Sequence, residues 1–421
     1  MNPGNKTQDL NPRNIKDINI SLIQSCIYKK GPISRIGIAG ETNSSTATVS
    51  RAVNMLLEQN IVKTVGVVES PGVGRKTELI EFNYDFGSII GLHIQEQHIE
   101  IALCDLKGRI IQQNKIPTTG EKDKFLESVY GLIDGVLKKS DAGRLLTISI
   151  ACPGLVDFDS GKIKQSIDIP LLEEVLLKEA LESRYQVSVC IDNDVNIAAI
   201  GEYSYYKTDN IHDLAYIEFG PGIGAGIIIN GELYRGHASG AGELAYCLFD
   251  EENLYEYHLD KGSVSVSISP NAIEEKIRSI IDDPPETAHE YQECHSRTIS
   301  PGLPDTTYQQ ALIKILELYT RDDILARKLV DSVINKIAMV VCNYTCILNP
   351  QLIVIDGDFV NAWGEILLKK IRQALEMSYP LAPEIKTTRP GTPSKLVGAI
   401  KIALNNAMQL LHLHGVYFDI E

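Results

Sequence analysis

The sequence predicts an α/β protein: an N-terminal winged helix-turn-helix followed by a two-lobed actin-like (ribonuclease H-like) ATPase fold. Three observations carry that expectation. Residues 45–60 read as the second helix of a helix-turn-helix and are followed by two β-patterned runs flanking a cation-tipped turn. From Ser88 the apolar runs follow the order strand, strand, strand, helix, strand, helix, strand, which is that of one actin-like lobe. A second set of strands starts at Leu214–Phe219 and Gly224–Ile229 and opens a second lobe. The expected domains are therefore residues 1–85, a winged helix-turn-helix; 86–200, a first lobe; and 201–421, a second lobe with helical oligomerisation elements.

In the N-terminal part, residues 15–30 form a first helix with Ile20, Ile23 and Ile27 inward, stopped by Gly31-Pro32. Ile33 to Glu41 is a weaker helix, since Gly37 and Gly40 each cost about 1 kcal/mol relative to Ala. In the next helix Ser44 or Ser45 can serve as N-cap, and Val49, Val53, Leu56 and Leu57 make an apolar stripe. The other faces, with Ser45, Thr46, Thr48, Ser50, Arg51 and Asn54, are left to meet phosphates and base edges. Strands at Ile61–Val68 and Thr77–Phe82 flank the turn that ends in Arg75 and Lys76. A small helical domain that binds no DNA is the competing reading.

In the first lobe, Ile89–Ile94, His98–Cys104 and Arg109–Ile116 read as an antiparallel meander. Phe125–Lys139 is an amphipathic helix burying Phe125, Val129, Leu132, Ile133 and Val136. Leu146–Ala151 is a buried strand, followed by a helix near Leu171–Arg184 and a strand at Val187–Ile191. In the second lobe helices dominate as far as Leu348, then come a strand at Leu352–Ile355 and helices near Trp363–Met377 and Leu396–Leu411. Asp282–Asp305, rich in Pro, Asp, Glu and His, reads as a surface loop.

The 421 residues are too many for one ordinary core. A hydrophobic fraction of 44% and a charged fraction of 23% are those of a soluble globular chain, with no transmembrane run or signal-like start, so a cytoplasmic protein is expected. Eight cysteines without a Cys-x-x-Cys pair give no disulfide framework, and Cys342 and Cys346 read as buried small hydrophobes. His289, Cys294 and His295 fit no common zinc spacing, and no metal is expected. Residues 1–85 hold ten Lys/Arg against eight Asp/Glu, or +2 of the net −15, which leaves −17 on the rest. An acidic body repels DNA unless the basic module projects away from it.

Four stretches of the large region stand out together: Ala151-Cys152-Pro153-Gly154 through Asp157 and Gly161; Asp192-Asn193-Asp194-Val195-Asn196 running to Glu202; Phe219-Gly220-Pro221-Gly222-Ile223-Gly224-Ala225-Gly226; and Gly240-Ala241-Gly242-Glu243-Leu244. With Asn349-Pro350 and Gly398-Ala399, they resemble the ROK family of sugar kinases and sugar-responsive repressors over nearly the whole chain. That resemblance implies a sugar pocket between two lobes, with Asn193, Asp194 and Glu243 as sugar ligands. Asp194 matches the kinases' catalytic base, a carboxylate able to take the proton of an attacking hydroxyl. Plainer roles compete: Asp194 as N-cap of a helix from Val195, and Glu243 as a solvated loop carboxylate.

Departures from the family pattern bear on activity. The turn Gly91-Leu92-His93-Ile94-Gln95-Glu96-Gln97 lacks the paired glycines and threonine of the kinases' phosphate turn. Pro221 stands where kinases place Thr, removing a hydroxyl and an N–H together. Asp356-Gly357-Asp358 adds negative charge near the nucleotide position. Tyr246 replaces the family's zinc-binding His, and residues 248–293 contain no cysteine; Cys247, His258 and His237 alone match no familiar zinc set.

The expectation is thus a sugar-responsive DNA-binding regulator, a repressor of carbohydrate-metabolism genes, with no catalytic residues and no cofactor. Its partners are operator DNA, a sugar effector and further copies of itself, as a homodimer or homotetramer, with no membrane involved. Ser45, Thr46, Thr48, Arg51, Arg75 and Lys76 are the expected DNA contacts. Half-sites about 34 Å apart, or a multiple of that, would follow from one helical turn. Two alternatives stay open: an ATP-dependent sugar kinase with a DNA-binding module, and a repressor controlled by a protein partner.

Overall fold

The computed structural model describes residues 12–69, 76–140, 143–206, 209–220, 222–248, 254–255, 262–282, 308–389 and 393–411. It opens with α1 (Pro12–Lys30), β1 (Ile33–Ser34), α2 (Arg35–Thr42), α3 (Thr46–Glu58), β2 (Val62–Glu69) and β3 (Lys76–Phe82). Ser34 caps α2, its hydroxyl accepting from Gly37 N at 3.1 Å. Ser45 caps α3 in the same way, accepting from Thr48 N at 3.2 Å. The strands order as β1-β3-β2, and Ile23, Ile27, Ile38, Val49, Val53, Leu56, Ile80 and Phe82 are buried together beneath them. Three helices and a three-stranded sheet are the winged helix-turn-helix expected. The turn at residues 70–75, with Arg75, lies outside the described residues.

The first lobe runs through β4 (Gly87–Ile94), β5 (His98–Asp105), β6 (Ile110–Pro117), α4 (Lys122–Lys138), β7 (Arg144–Cys152), the short hairpin β8 (Leu155–Asp157) and β9 (Lys162–Gln165), α5 (Leu177–Tyr185) and β10 (Ser188–Asn193). Its five-stranded sheet orders as β10-β7-β4-β5-β6, antiparallel in the β4–β6 meander and parallel where β7 joins β4 and β10. All five residues assigned to the inner face of α4 are buried there. The helix expected near Leu171–Arg184 is shorter. Pro170–Glu173 makes a single 3-10 turn, and Leu176 (φ −78°, ψ 67°) departs from helix before α5 begins. Leu172 is buried from the 3-10 turn, Val175 from the irregular backbone after it and Leu177 from the start of α5.

α6 (Asp194–Tyr206) crosses to the second lobe: β11 (Leu214–Phe219), β12 (Ile223–Ile229), β13 (Glu232–Tyr234), α7 (Ser263–Ile268), α8 (Pro270–Asp282), α9 (Tyr308–Thr320), α10 (Ile324–Leu348), β14 (Leu352–Asp356), α11 (Asp358–Ser378) and β15 (Glu384–Thr387). The sheet orders as β13-β12-β11-β14-β15, with the helices α7 to α11 gathered around one apolar cluster. Asp323 caps α10, and Asn349, in the left-handed region (φ 45°), ends it before Pro350. Cys342 is half-buried and Cys346 exposed, so that pair is not the buried one expected; Cys346 falls on the solvent side of α10.

The last helix, α12 (Ser394–Leu410), leaves the second lobe and packs on β4, β5 and β7 of the first, and against α6. A Cβ at Gly398 would lie 1.9 Å from the Ile197 carbonyl oxygen, and one at Gly201 2.1 Å from that of Ser394. Both glycines are therefore required by the close α6–α12 crossing. In space, α12 belongs to the first sheet although it follows the second lobe in the sequence, and α6 straddles residue 200.

Candidate functional site

Strand ends and helix starts of the two sheets converge on one buried cluster of charged side chains. β10 delivers Asn193, α6 begins at Asp194, β11 ends near Glu218, and α12 begins beside Lys395. Asn193 caps α6: its Oδ1 accepts from Val195 N at 2.9 Å and Asn196 N at 3.2 Å, and its Nδ2 donates to the Gly154 carbonyl at 2.9 Å. Capping of α6, expected of Asp194, thus falls mainly to Asn193, one residue earlier, because it is Asn193 that faces the open N–H groups. The Asp194 carboxylate is turned to Lys395, whose Nζ lies 2.7 Å away.

The same ammonium lies 3.0 Å from Glu218 Oε1. Burial works to lower the Lys395 pKa, but the two carboxylates hold it well above the ordinary lysine value. Burial likewise works to raise Asp194, yet Lys395 above all keeps that carboxylate below its usual range. Glu218 goes the other way: burial pushes it up to about 7 despite Lys395, with Asp194 and Asp356 adding to the rise. One cation thus serves two buried acids and satisfies Asp194 first. Asp194–Lys395–Glu218 is a ready-made ionic triad.

His93, on β4, is buried and lowered to about 3 by desolvation first and the Lys395 charge second, so its ring is neutral at physiological pH. Gln95 Nε2 lies 3.0 Å from His93 Nδ1 and 2.8 Å from His98 Nε2. With the amide donating to both rings, the His93 proton is assigned to Nε2, a buried atom without a partner. Glu218 Oε2 is also buried without a partner. Glu243 follows Gly242 (φ +89°), where a Cβ would meet the Ala225 carbonyl at 1.8 Å. Its carboxyl is half-buried and raised by desolvation and by Asp194, which places it within the field of the triad rather than free in solvent.

Behind these groups, Asp192 is buried and bound by Arg235 Nε at 2.9 Å, and the guanidinium lies 3.7 Å from the centre of the Phe158 ring. β10 is thereby tied to the segment after β13, across the lobes. Asp356 accepts from Tyr216 Oη at 2.8 Å, and Gly357 (φ +109°) packs against the Phe219 backbone. Tyr246 Oη reaches Gln165 Oε1 at 3.4 Å, a contact rather than a metal-ligand arrangement. Pro221, His258 and residues 283–305 lie outside the described residues.

On the winged helix, Ser45, Thr46 and Arg51 are exposed along the start of α3, and Thr48 is half-exposed. Ser45 and Thr48 hydroxyls lie 2.9 Å apart within the cap, and Arg51 Nε donates to the Ala47 carbonyl at 3.3 Å. Lys76 opens β3. Arg35 reaches both Asn54 at 2.9 Å and Glu78 at 3.0 Å, fixing α2, α3 and β3 to one another. Sequence reasoning missed Lys395, Glu218 and His93. Each adjoins or lies inside a motif it did single out, but only the fold shows that they converge.

A winged helix joined to a two-lobed, sugar-kinase-like body defines the class. The chain belongs to the ROK family, which it matches over residues 89–406. It is 28% identical over 365 residues to the xylose repressor of Caldicellulosiruptor bescii, covering 86% of this chain and 88% of that protein. Identity is 26% over 426 residues to the DNA-binding transcriptional dual regulator NagC of Escherichia coli, 98% of this chain and 99% of the relative. A solved ROK family transcriptional regulator, a homologue of the E. coli MLC protein, superposes with a TM-score of 0.71 at 21% identity, covering 95% of this chain and 99% of that one. The ROK family glucokinase of Streptomyces griseus, solved with glucose and AMPPNP, gives 0.57 at 20% identity over 76% and 100%. These two structures share the fold.

Proposed function

We propose that the protein is a sugar-responsive transcriptional repressor that does not phosphorylate its ligand. The observation that carries this reading is the Asp194–Lys395 ion pair behind a winged helix. A general base must be free to accept a proton near the working pH. Asp194 is instead depressed and paired with an ammonium. A polyphosphate entering the site would also meet Glu218, Asp356 and Asp358 with Lys395 already committed. Relatives named as xylose repressor and as a DNA-binding regulator support the same direction. Among the described residues no helix is long and apolar enough to cross a membrane.

In this reading the chain divides functionally into the winged helix of residues 1–85 and the two-lobed body, and it acts on a two-fold operator as a homodimer or a higher assembly. Thr46, Arg51 and the wing cations Arg75 and Lys76 meet the DNA, with Ser45 and Thr48 shaping the start of α3. Asp194 and Glu243 meet sugar hydroxyls, and Asn193 shapes the site by holding the Gly154 loop and capping α6. An effector releases DNA only if it binds the DNA-free conformation more tightly.

The test is a thermal-shift panel of pentoses, hexoses, N-acetyl sugars and their phosphates, with ATP–magnesium alongside. A ligand at 100 times Kd stabilises the fold by about 2.7 kcal/mol. A shift with one sugar and none with ATP supports the proposal. A shift with ATP together with ATP-dependent phosphorylation would sink it, and silence across the panel would transfer control to a protein partner.

A further inference from the structure

We infer that the Lys395 ammonium is an internal occupant of the effector site, and that its release from Asp194 is the step that passes effector binding along α12 to the winged helix. This rests on the sugar-sensing reading above and names its switch.

The first observation is chemical. Nζ of Lys395 bridges Asp194, the first residue of α6, and Glu218, near the end of β11. Around it, His93 Nε2 and Glu218 Oε2 are buried without partners, and both groups are perturbed by the Lys395 charge. A donor, an acceptor and an ion-paired carboxylate suit a ligand with several hydroxyls, since each hydroxyl both donates and accepts. For such a ligand to reach Asp194, it must take over the hydrogen bond that Lys395 now supplies. A phosphorylated ligand would instead bring negative charge towards Asp194, Glu218, Glu243 and Asp356. The site therefore selects an unphosphorylated polyol.

The second observation is mechanical. Lys395 is the second residue of α12, so its side chain moves with that helix's first turn. α12 has little local slack. Gly398 and Gly201 leave no side chain between it and α6, and a Cβ at Gly91 of β4 would lie 2.9 Å from Ile400 Cγ1. Further along, Ile400, Ala403, Leu404, Ala407 and Met408 belong to one continuous apolar cluster with Ile23, Ile27, Ile80 and Phe82 of the winged helix, joined by Ile89, Ala102 and Cys104. Tyr28 of α1 also donates to the Leu106 carbonyl at 3.0 Å, pinning the module to the end of β5. Close-packed elements shift as units rather than deforming smoothly. A rearrangement at Lys395 thus has a packed route to α1 and β3, whereas among the described residues the second lobe's helical cluster contains none from the winged helix.

The experiment uses the full-length chain as wild type, Lys395→Met, Lys395→Arg, and Lys395→Met combined with Glu218→Gln. The double variant removes an acid that the lysine neutralises, so it keeps the test available where the single variant is unstable. Two quantities are read without ligand: affinity for a duplex selected by the wild type from a random-sequence pool, and hydrogen exchange in α1, β3 and α12. The expected result is at least a tenfold loss of DNA affinity and faster exchange in α1 and β3 for the methionine variants. The arginine variant, which keeps the charge in a larger side chain, should lose less DNA affinity than the methionine variants. In wild type, a sugar such as D-xylose, or whichever member of the panel binds, should reproduce the methionine phenotype.

A folded double variant with unchanged DNA affinity and unchanged exchange in α1 and β3 would overturn the latch. If the methionine variants lose DNA while no sugar moves the wild type, the latch holds and the sugar reading fails. A wild type that selects no duplex overturns both.

Discussion

At Glu218, a buried carboxylate shares its only described cation with Asp194, and that arrangement makes folding sensitive to pH around this side chain. Its folded pKa is raised to about 7, above the ordinary glutamate value, so the folded state holds the proton more tightly than the unfolded one. The stabilisation is complete below the unfolded pKa and is lost as pH rises towards 7. Glu218→Gln keeps the neutral form at every pH. The melting temperature of this variant, measured against wild type, should therefore move upward between pH 5 and pH 8, and a difference flat with pH would refute the assignment. His93 gives a second residue-level expectation. With its pKa lowered to about 3, its ring stays neutral across the physiological range. An NMR titration should find the His93 Cε1–H shift unchanged from pH 5 to 9, whereas a midpoint near 6.5 would show that the ring is solvated. The sign for stability is the reverse of Glu218's, because the unfolded chain takes up this proton first as pH falls below 6.5.

Among the elements, the crossing of α6 and α12 is the most demanding. Gly398→Ala gains about 1 kcal/mol in helix propensity. Its Cβ, however, meets the Ile197 carbonyl at 1.9 Å, a backbone atom that cannot rotate away. Overpacking of this kind costs about 1–3 kcal/mol, occasionally more, so the variant should melt below wild type despite being the better helix former. A higher melting temperature would mean that the helices separate freely. The cap of α3 is the milder counterpart: Ser45→Ala should cost about 1 kcal/mol, read by urea unfolding.

These same elements mark how far sequence reasoning reached. The amphipathic α4, the meander β4–β6 and the stripe of α3 were legible because their own periodicity declares a buried face. The short hairpin β8–β9 and the edge strand β15 have too few residues to show a period. The break at Leu176 is hidden by an apolar run that also suits a helix. α12 was legible as a helix, but not as a member of the first sheet's core, since a periodic stripe does not name the surface it will cover. In the candidate site, Asp194 and Glu243 stand within motifs legible in the sequence. The role of Lys395 was not legible, because its partners lie 201 and 177 residues away in the chain.

For the molecule as a whole, the charge distribution sets the terms of DNA binding. Residues 86–421 carry −17, while residues 1–85 carry +2 and include the exposed α3 face and the cations Arg75 and Lys76. The affinity must then come from a few cations at the winged helix, and it must decline steeply with salt, since each neutralised phosphate releases counterions with a log–log slope of about −0.9. Lys76→Gln should lessen the slope by about 1 for each protomer that touches the DNA, and so by about 2 for a dimer on a two-fold site. Arg51→Ala, by contrast, should flatten sequence preference as well as weaken binding if, as proposed, α3 is the element that meets base edges. The measurement is DNA affinity across a salt series for wild type and both variants on one selected duplex and one scrambled duplex. A slope unchanged by Lys76→Gln would place the wing away from the phosphates. A change of 1 rather than 2 would mean that a single module engages each site, and the body's negative charge would then be expected to hold the second module clear of the DNA.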